Sequence, residues 1–130
     1  GTVVFHDQRS EEENPELQLL PAATVLTRVV SHPAPGVITC DAGSKAVASE
    51  AGDPIAVVLG HPEWTPMTPN EEHLPIRVTG DRPARGSELL LVPRHICPTV
   101  NLAEEAALIE GGKLKQVVPV AARAHELLVD

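Results

Sequence analysis

The sequence predicts a mostly-β domain, a small barrel or sandwich. Three observations lead there. Short β-branched and apolar runs alternate with turn signals along the chain. Thirteen prolines are spread through 130 residues, which interrupts helices and favours short strands with rigid turns. No segment has helical periodicity long enough to supply the crossovers of a parallel α/β fold. The length suits one domain, residues 1–130, with one core of moderate size. With one Trp, one Phe and no Tyr, that core must be built from Val, Leu, Ala and Ile.

Taken in order, "TVVF" (2–5) reads as a short strand. "DQRSEEENPELQ" is acidic, holds Pro15 and reads as a solvated loop. In "ATVLTRVVSHP", Val25, Thr27 and Val29 share one face of a strand over 23–31, and Leu26, Arg28 and Val30 the other. "PAPG" is a turn. "VITC" starts a strand over 37–41 that passes into a small-residue loop at "DAGS", and "PIAVVLG" gives a strand over 55–59. "HPEWTPMTPNEEH" (61–73) has three prolines and no periodicity, so it reads as a long loop, a segment type that is often functional. Strand character resumes over 74–79, "DRPARGS" turns, and "ELLLVPRHICP" is the most apolar strand, over 88–95. Gly111-Gly112 separates two runs with β content, so the chain closes as a hairpin with a strand over 117–123, although "EEAALIE" has helical propensity.

Charge and hydropathy exclude several partners. The net charge is −8, with a pI near 5.1. Nucleic acid and anionic membrane surfaces call for a basic face. No apolar stretch approaches the roughly 20 residues of a membrane span. Without a recognisable signal segment, the expected location is cytoplasmic. The two cysteines, Cys40 and Cys97, are then expected as free thiols or metal ligands.

The chemistry concentrates in "PRHICPTVNL". On an extended chain the His-x-Cys spacing puts His95 and Cys97 on one face, and imidazole with thiolate suits zinc. Pro93 and Pro98 stiffen the backbone around them. The plainer reading is a small buried thiol and a hydrogen-bonded histidine. "EEH" adds Glu71, Glu72 and His73; Glu72 and His73 are candidates to support a site, and a solvated acidic loop explains them equally well. The Asp41–Lys45 loop, "DAGSK", borders an active-site mouth or a dimer contact in one reading. In the simpler one it is a glycine-enabled turn with a capping Asp. Cys40 is expected in the core, with a weaker reading as a third ligand. His6, His32, His61 and His125 read as surface or structural, and Trp64 and Met67 as cover for an apolar edge or, with the barrel absent, as exposed.

The order of these motifs resembles the C-terminal domain of the D-serine dehydratase and D-threonine aldolase family. "ATVLTRVVSHPAPGVITCDAGSKAVAS", "EEH", "LLLVPRHICPTVNL" and a closing strand near "VAARA" carry the resemblance over nearly the whole chain. It implies the C-terminal β-domain of an alanine-racemase-type enzyme. The parent would act on a D-amino acid and carry pyridoxal phosphate on a lysine of an N-terminal barrel. It further implies a divalent metal held by His95 and Cys97: zinc in dehydratase-like members, manganese or magnesium in some aldolases. "CPTVNL" favours the dehydratase-like branch. The departure is that this chain holds no barrel, and none of Lys45, Lys113 and Lys115 lies in a segment like the family's cofactor lysine. The expectation is an inactive fragment that relies on the missing barrel domain and a homodimer. The alternative is a stand-alone, non-catalytic β-domain that binds a metal or a partner.

Overall fold

The computed structural model describes residues 2–124, and the strands predicted from sequence form its core. A six-stranded antiparallel sheet has the order β3-β6-β1-β2-β5-β4. Its strands are β1 (Val25–Ala34), β2 (Val37–Cys40), β3 (Ala56–Val58), β4 (Thr65–Pro66), β5 (Leu74–Arg77) and β6 (Glu88–Pro93). The edge strands β3 and β4 lie against each other, so the sheet curls into a nearly closed barrel. Alternation explains the burial: Thr27 and Val29 of β1 point inward, while Leu26, Arg28 and Val30 point out. Ile38, Cys40, Ile55, Leu74, Ile76 and Leu91 are fully buried beside them.

The ladder sets which loops meet. Each of the pairs β1–β2, β1–β6, β3–β6 and β2–β5 is antiparallel. The starts of β1, β3 and β5 therefore share one end of the barrel with the ends of β2 and β6. At that end lie the 41–55 connection, the 67–73 loop and the segment after β6.

Four expectations are corrected. "TVVF" is a helix, α1 (Thr2–Phe5), with no buried residue, so its β propensity has no strand to pair with. The acidic segment holds a second helix, α2 (Gln8–Glu13), whose N-cap Asp7 accepts from the Ser10 N–H, and then a 3-10 turn (Pro15–Leu17). The most apolar strand ends at Pro93; residues 96–102 form a third helix, α3 (Ile96–Leu102), with His95 as its N-cap. The last strand is not at 117–123: β7 (Glu105–Glu110) and β8 (Lys113–Pro119) form a separate two-stranded hairpin around Gly111-Gly112. His125 lies outside the described residues.

Candidate functional site

His95 and Cys97 sit at the barrel end where the loops converge. The helical start of α3 changes their relation. His95 keeps extended backbone, with φ −132° and ψ 112°, while Cys97 is in the first helical turn. The same-face argument from strand alternation therefore does not apply. Both side chains nevertheless reach solvent: His95 is partly exposed and Cys97 exposed. Cys97 is a free thiol.

Three residues, Asp7, Thr99 and Arg94, tie down this short helix and the residues before it. Asp7, buried at 1% exposure, accepts the Ile96 N–H through Oδ2 at 2.9 Å and the Ser10 N–H through Oδ1 at 2.8 Å. One carboxylate thus serves the starts of both α2 and α3. Burial pushes the Asp7 carboxyl up, but these N–H donors and nearby His95 outweigh it and hold it below its ordinary value. The Thr99 hydroxyl donates to the His95 carbonyl at 2.8 Å and accepts the Ala48 N–H at 3.2 Å. Arg94 donates to Glu12 of α2 through both guanidinium NH2 groups, at 3.2 and 3.0 Å, and to the Ala51 carbonyl at 3.1 Å.

The His95 side chain has a partner from across the barrel end. Its Nδ1 is hydrogen-bonded to Oε1 of Glu50, 45 residues earlier. The ring's Nε2 is the nitrogen left for a ligand. The pair joins a carboxylate to one ring nitrogen and leaves the other open, the arrangement that metal-bound histidines usually have. With the Cys97 thiol two residues on, the donor set fits a borderline-soft divalent ion such as zinc. Among the described residues no ready-made group of three or more His, Cys, Asp and Glu ligands is present.

The other candidates fall elsewhere. Lys45 donates to Glu72 at 2.7 Å and lies 3.2 Å from Glu71, so the "EEH" carboxylates face the 41–45 loop. The hydrogen bond and charge of Glu72 hold the Lys45 amine above its ordinary value, and Glu72 is lowered in return. His73 is exposed, and its backbone N–H donates to the Asn70 side chain. The "DAGSK" segment is a turn pressed against the 70–72 loop. The Ser44 and Lys45 N–H groups donate to the carbonyls of Asn70 and Glu71. A Cβ on Gly43 would stand 2.4 Å from the Asn70 carbonyl oxygen, so only glycine fits. Asp41 accepts the Thr27 hydroxyl and the Arg28 N–H, which makes it a clamp between β1 and the loop. Cys40 faces the core; burial, with the nearby Asp41 charge, pushes its thiol up to about 12. Trp64 is buried, stacks on His61 and donates to the Thr79 carbonyl; Met67 is exposed.

Sequence reasoning missed Glu50 and Asp7. Asp7 had a readable signal, a cap residue before an acidic first turn. Glu50 had none, because its partner is set by the barrel's closure and not by spacing.

The class follows from the curled sheet. Its backbone matches an alanine-racemase-like protein from Idiomarina loihiensis with a TM-score of 0.54 and 17% identity, over 67% of this chain and 28% of that one. D-threonine aldolase from Filomicrobium marinum matches at 0.75 and 28%, over 81% of this chain and 29% of that one. D-threo-3-hydroxyaspartate dehydratase from Delftia sp. HT23 matches at 0.72 and 22%, over 98% of this chain and 38% of that one. Enzyme of that name is also solved as a histidine-to-alanine mutant and, two positions further on, a cysteine-to-alanine mutant in a metal-free form.

The particular family is fixed by sequence. The model described as "Putative serine dehydratase domain" matches residues 22–109, and the chain belongs to that family. D-threonine aldolase of an Arthrobacter species is 36% identical over 101 residues, 76% of this chain and 26% of the aldolase. The chain thus spans about a quarter of that relative's length. An uncharacterised protein of Mycobacterium tuberculosis is 27% identical over 83% of this chain and 85% of its own length. No helix among the described residues is long and apolar enough to cross a membrane.

Proposed function

We propose that this chain is the metal-carrying C-terminal domain of a pyridoxal-phosphate-dependent lyase acting on a D-amino acid, with His95 and Cys97 as the ligands. The observation that carries the reading is the placement of a histidine with one ring nitrogen unbound and an exposed thiol two residues on at one barrel end, in a family whose relatives include D-threonine aldolases. The metal-free cysteine mutant of the dehydratase supports it, since its histidine–cysteine spacing equals that of His95 and Cys97. A divalent ion there would act as a Lewis acid toward a β-hydroxyl, and pyridoxal phosphate would supply the electron sink at Cα.

The fragment contributes ligands and not the cofactor's attachment. Lys45 is exposed and tied by ion pairs to Glu71 and Glu72, Lys113 and Lys115 are exposed on the hairpin, and none of the three lies in a segment like the family's cofactor lysine. The barrel domain, and a homodimer, complete the enzyme in this reading; the isolated chain has no turnover of D-serine or D-threonine and captures no pyridoxal phosphate.

The test is zinc stoichiometry after dialysis against trace zinc, for wild type, His95→Ala and Cys97→Ala. Wild type binds and each variant loses the ion; the thiolate must form, so affinity rises with pH. If the chain alone binds nothing, the same substitutions in an enzyme carrying the barrel decide, and full zinc content there rejects the ligands. A stand-alone binding domain is the second reading, favoured by the mycobacterial relative of similar length. A barrel with a cofactor lysine encoded in the same gene would exclude it.

A further inference from the structure

We infer that Glu50 is a positioning residue for His95: it holds the proton on Nδ1 and aims Nε2 at the ion. The inference rests on the metal reading above and adds a residue to it. It stands on geometry.

The contact joins Glu50 Oε1 to His95 Nδ1. An ionised carboxylate is acceptor-only, so in the neutral ring Nδ1 carries the hydrogen and Nε2 keeps its lone pair. That is the tautomer less favoured by a free imidazole and the one that ligation through Nε2 requires. Without Glu50 the proton returns to Nε2 in most molecules, and an ion must displace it.

Glu50 is itself held in place by the segment it serves. Two residues before it, the Ala48 N–H donates to Thr99 of α3. One residue after it, the Ala51 carbonyl accepts from the Arg94 side chain. The Arg94 N–H donates to the Ile55 carbonyl at 2.7 Å, closing the same loop onto β6. Backbone on either side of Glu50 is thus tied to Arg94, next to the ring, and to Thr99 of α3. Glu50 and His95 side chains are 50% and 30% exposed, so the pair lies at the surface. The position tolerates substitution in the folding sense, because Glu50 is exposed and fills no core space.

The experiment uses the whole chain in wild type, Glu50→Ala and Glu50→Asp. Long-range 1H–15N correlation spectra of the metal-free chain, at a pH where His95 is neutral, read its tautomer. Zinc titration reads affinity, and denaturant unfolding reads stability. The expected result is an Nδ1–H tautomer in wild type that turns to Nε2–H in Glu50→Ala. Zinc affinity falls about 10- to 100-fold in that variant at unchanged stability, with partial recovery in Glu50→Asp. An unchanged tautomer and affinity in Glu50→Ala overturns the inference while the metal reading stands. The converse separates the two: a wild type that binds no zinc, yet shows a Glu50-dependent tautomer, keeps Glu50's hold on the ring and passes the decision on the ligands to the enzyme carrying the barrel.

Discussion

Two antiparallel pairs in this molecule have similar composition and opposite fates. In the pair β1–β6, Thr27, Val29, Leu91 and Val92 are buried at 5% exposure or less. In the pair β7–β8, every residue but Val118 is exposed, with Leu108, Ile109, Leu114 and Val117 between 48% and 61%. Both were recognisable as strands, because pairing needs only β-formers and a turn. What they pack against differs, and that decides what each contributes. A two-stranded hairpin without a covered face is marginal in water, whereas a curled six-stranded sheet buries both its edges and its core.

The largest expected contrast lies there. Leu91→Ala opens a cavity in a fully buried site and lowers unfolding free energy by about 2–5 kcal/mol. Ile109→Ala, on the hairpin at 61% exposure, changes it by no more than about 0.5 kcal/mol. Denaturant melts of both variants check this, and equal losses would mean that the hairpin is covered in solution. Amide hydrogen exchange gives the same contrast: β7–β8 amides exchange through local opening, well ahead of β1 and β6.

Next comes Gly43→Ala. The new methyl meets backbone at Asn70 and Glu71, not a movable side chain. Destabilisation of about 1–3 kcal/mol is expected, with shifted amide signals over 70–73. A variant as stable as wild type would show that the two loops are not in contact. The smaller Asp7→Ala removes the cap shared by α2 and α3, for about 0.5–2 kcal/mol. Its effect should concentrate at α3, so His95 signals move while those of β7–β8 do not.

What was legible divides along the same line. Alternation placed the faces of β1 correctly, and the turn glycines placed the hairpin. Trp64 proved to be core cover, as its place in the long loop suggested. The N-terminal helices were misread because short helices depend on caps, and propensity in "TVVF" points to strand. The error at His95 was a boundary error with chemical consequences. An apolar run continuing through Val92 and Pro93 reads as strand, yet the carboxylate that starts a helix at Ile96 comes from Asp7, 89 residues away. The ion pairs of Lys45 with Glu71 and Glu72 were not legible either, because the two loops are brought together by the fold and not by spacing.

The smallest expected effect is an acid limb. Burial pushes the Asp41 carboxyl up, but the Arg28 N–H and the Thr27 hydroxyl outweigh it and hold it below its ordinary value. A carboxylate with a depressed folded-state pKa binds its proton more readily when unfolded. Its stabilisation is therefore full above the unfolded value, near 3.9, and is lost as pH falls through the folded value. Asp41→Asn keeps an acceptor for both donors and removes the titration. Stability of wild type should fall more steeply than that of the variant as pH drops below about 4. The two curves should run parallel above about pH 6, where Asp41 is ionised in both folded and unfolded chains. Because Asp41 belongs to the barrel, hairpin amides should not follow this limb. Curves that stay parallel throughout the acid range would show that Asp41 does not clamp β1 to the loop in solution.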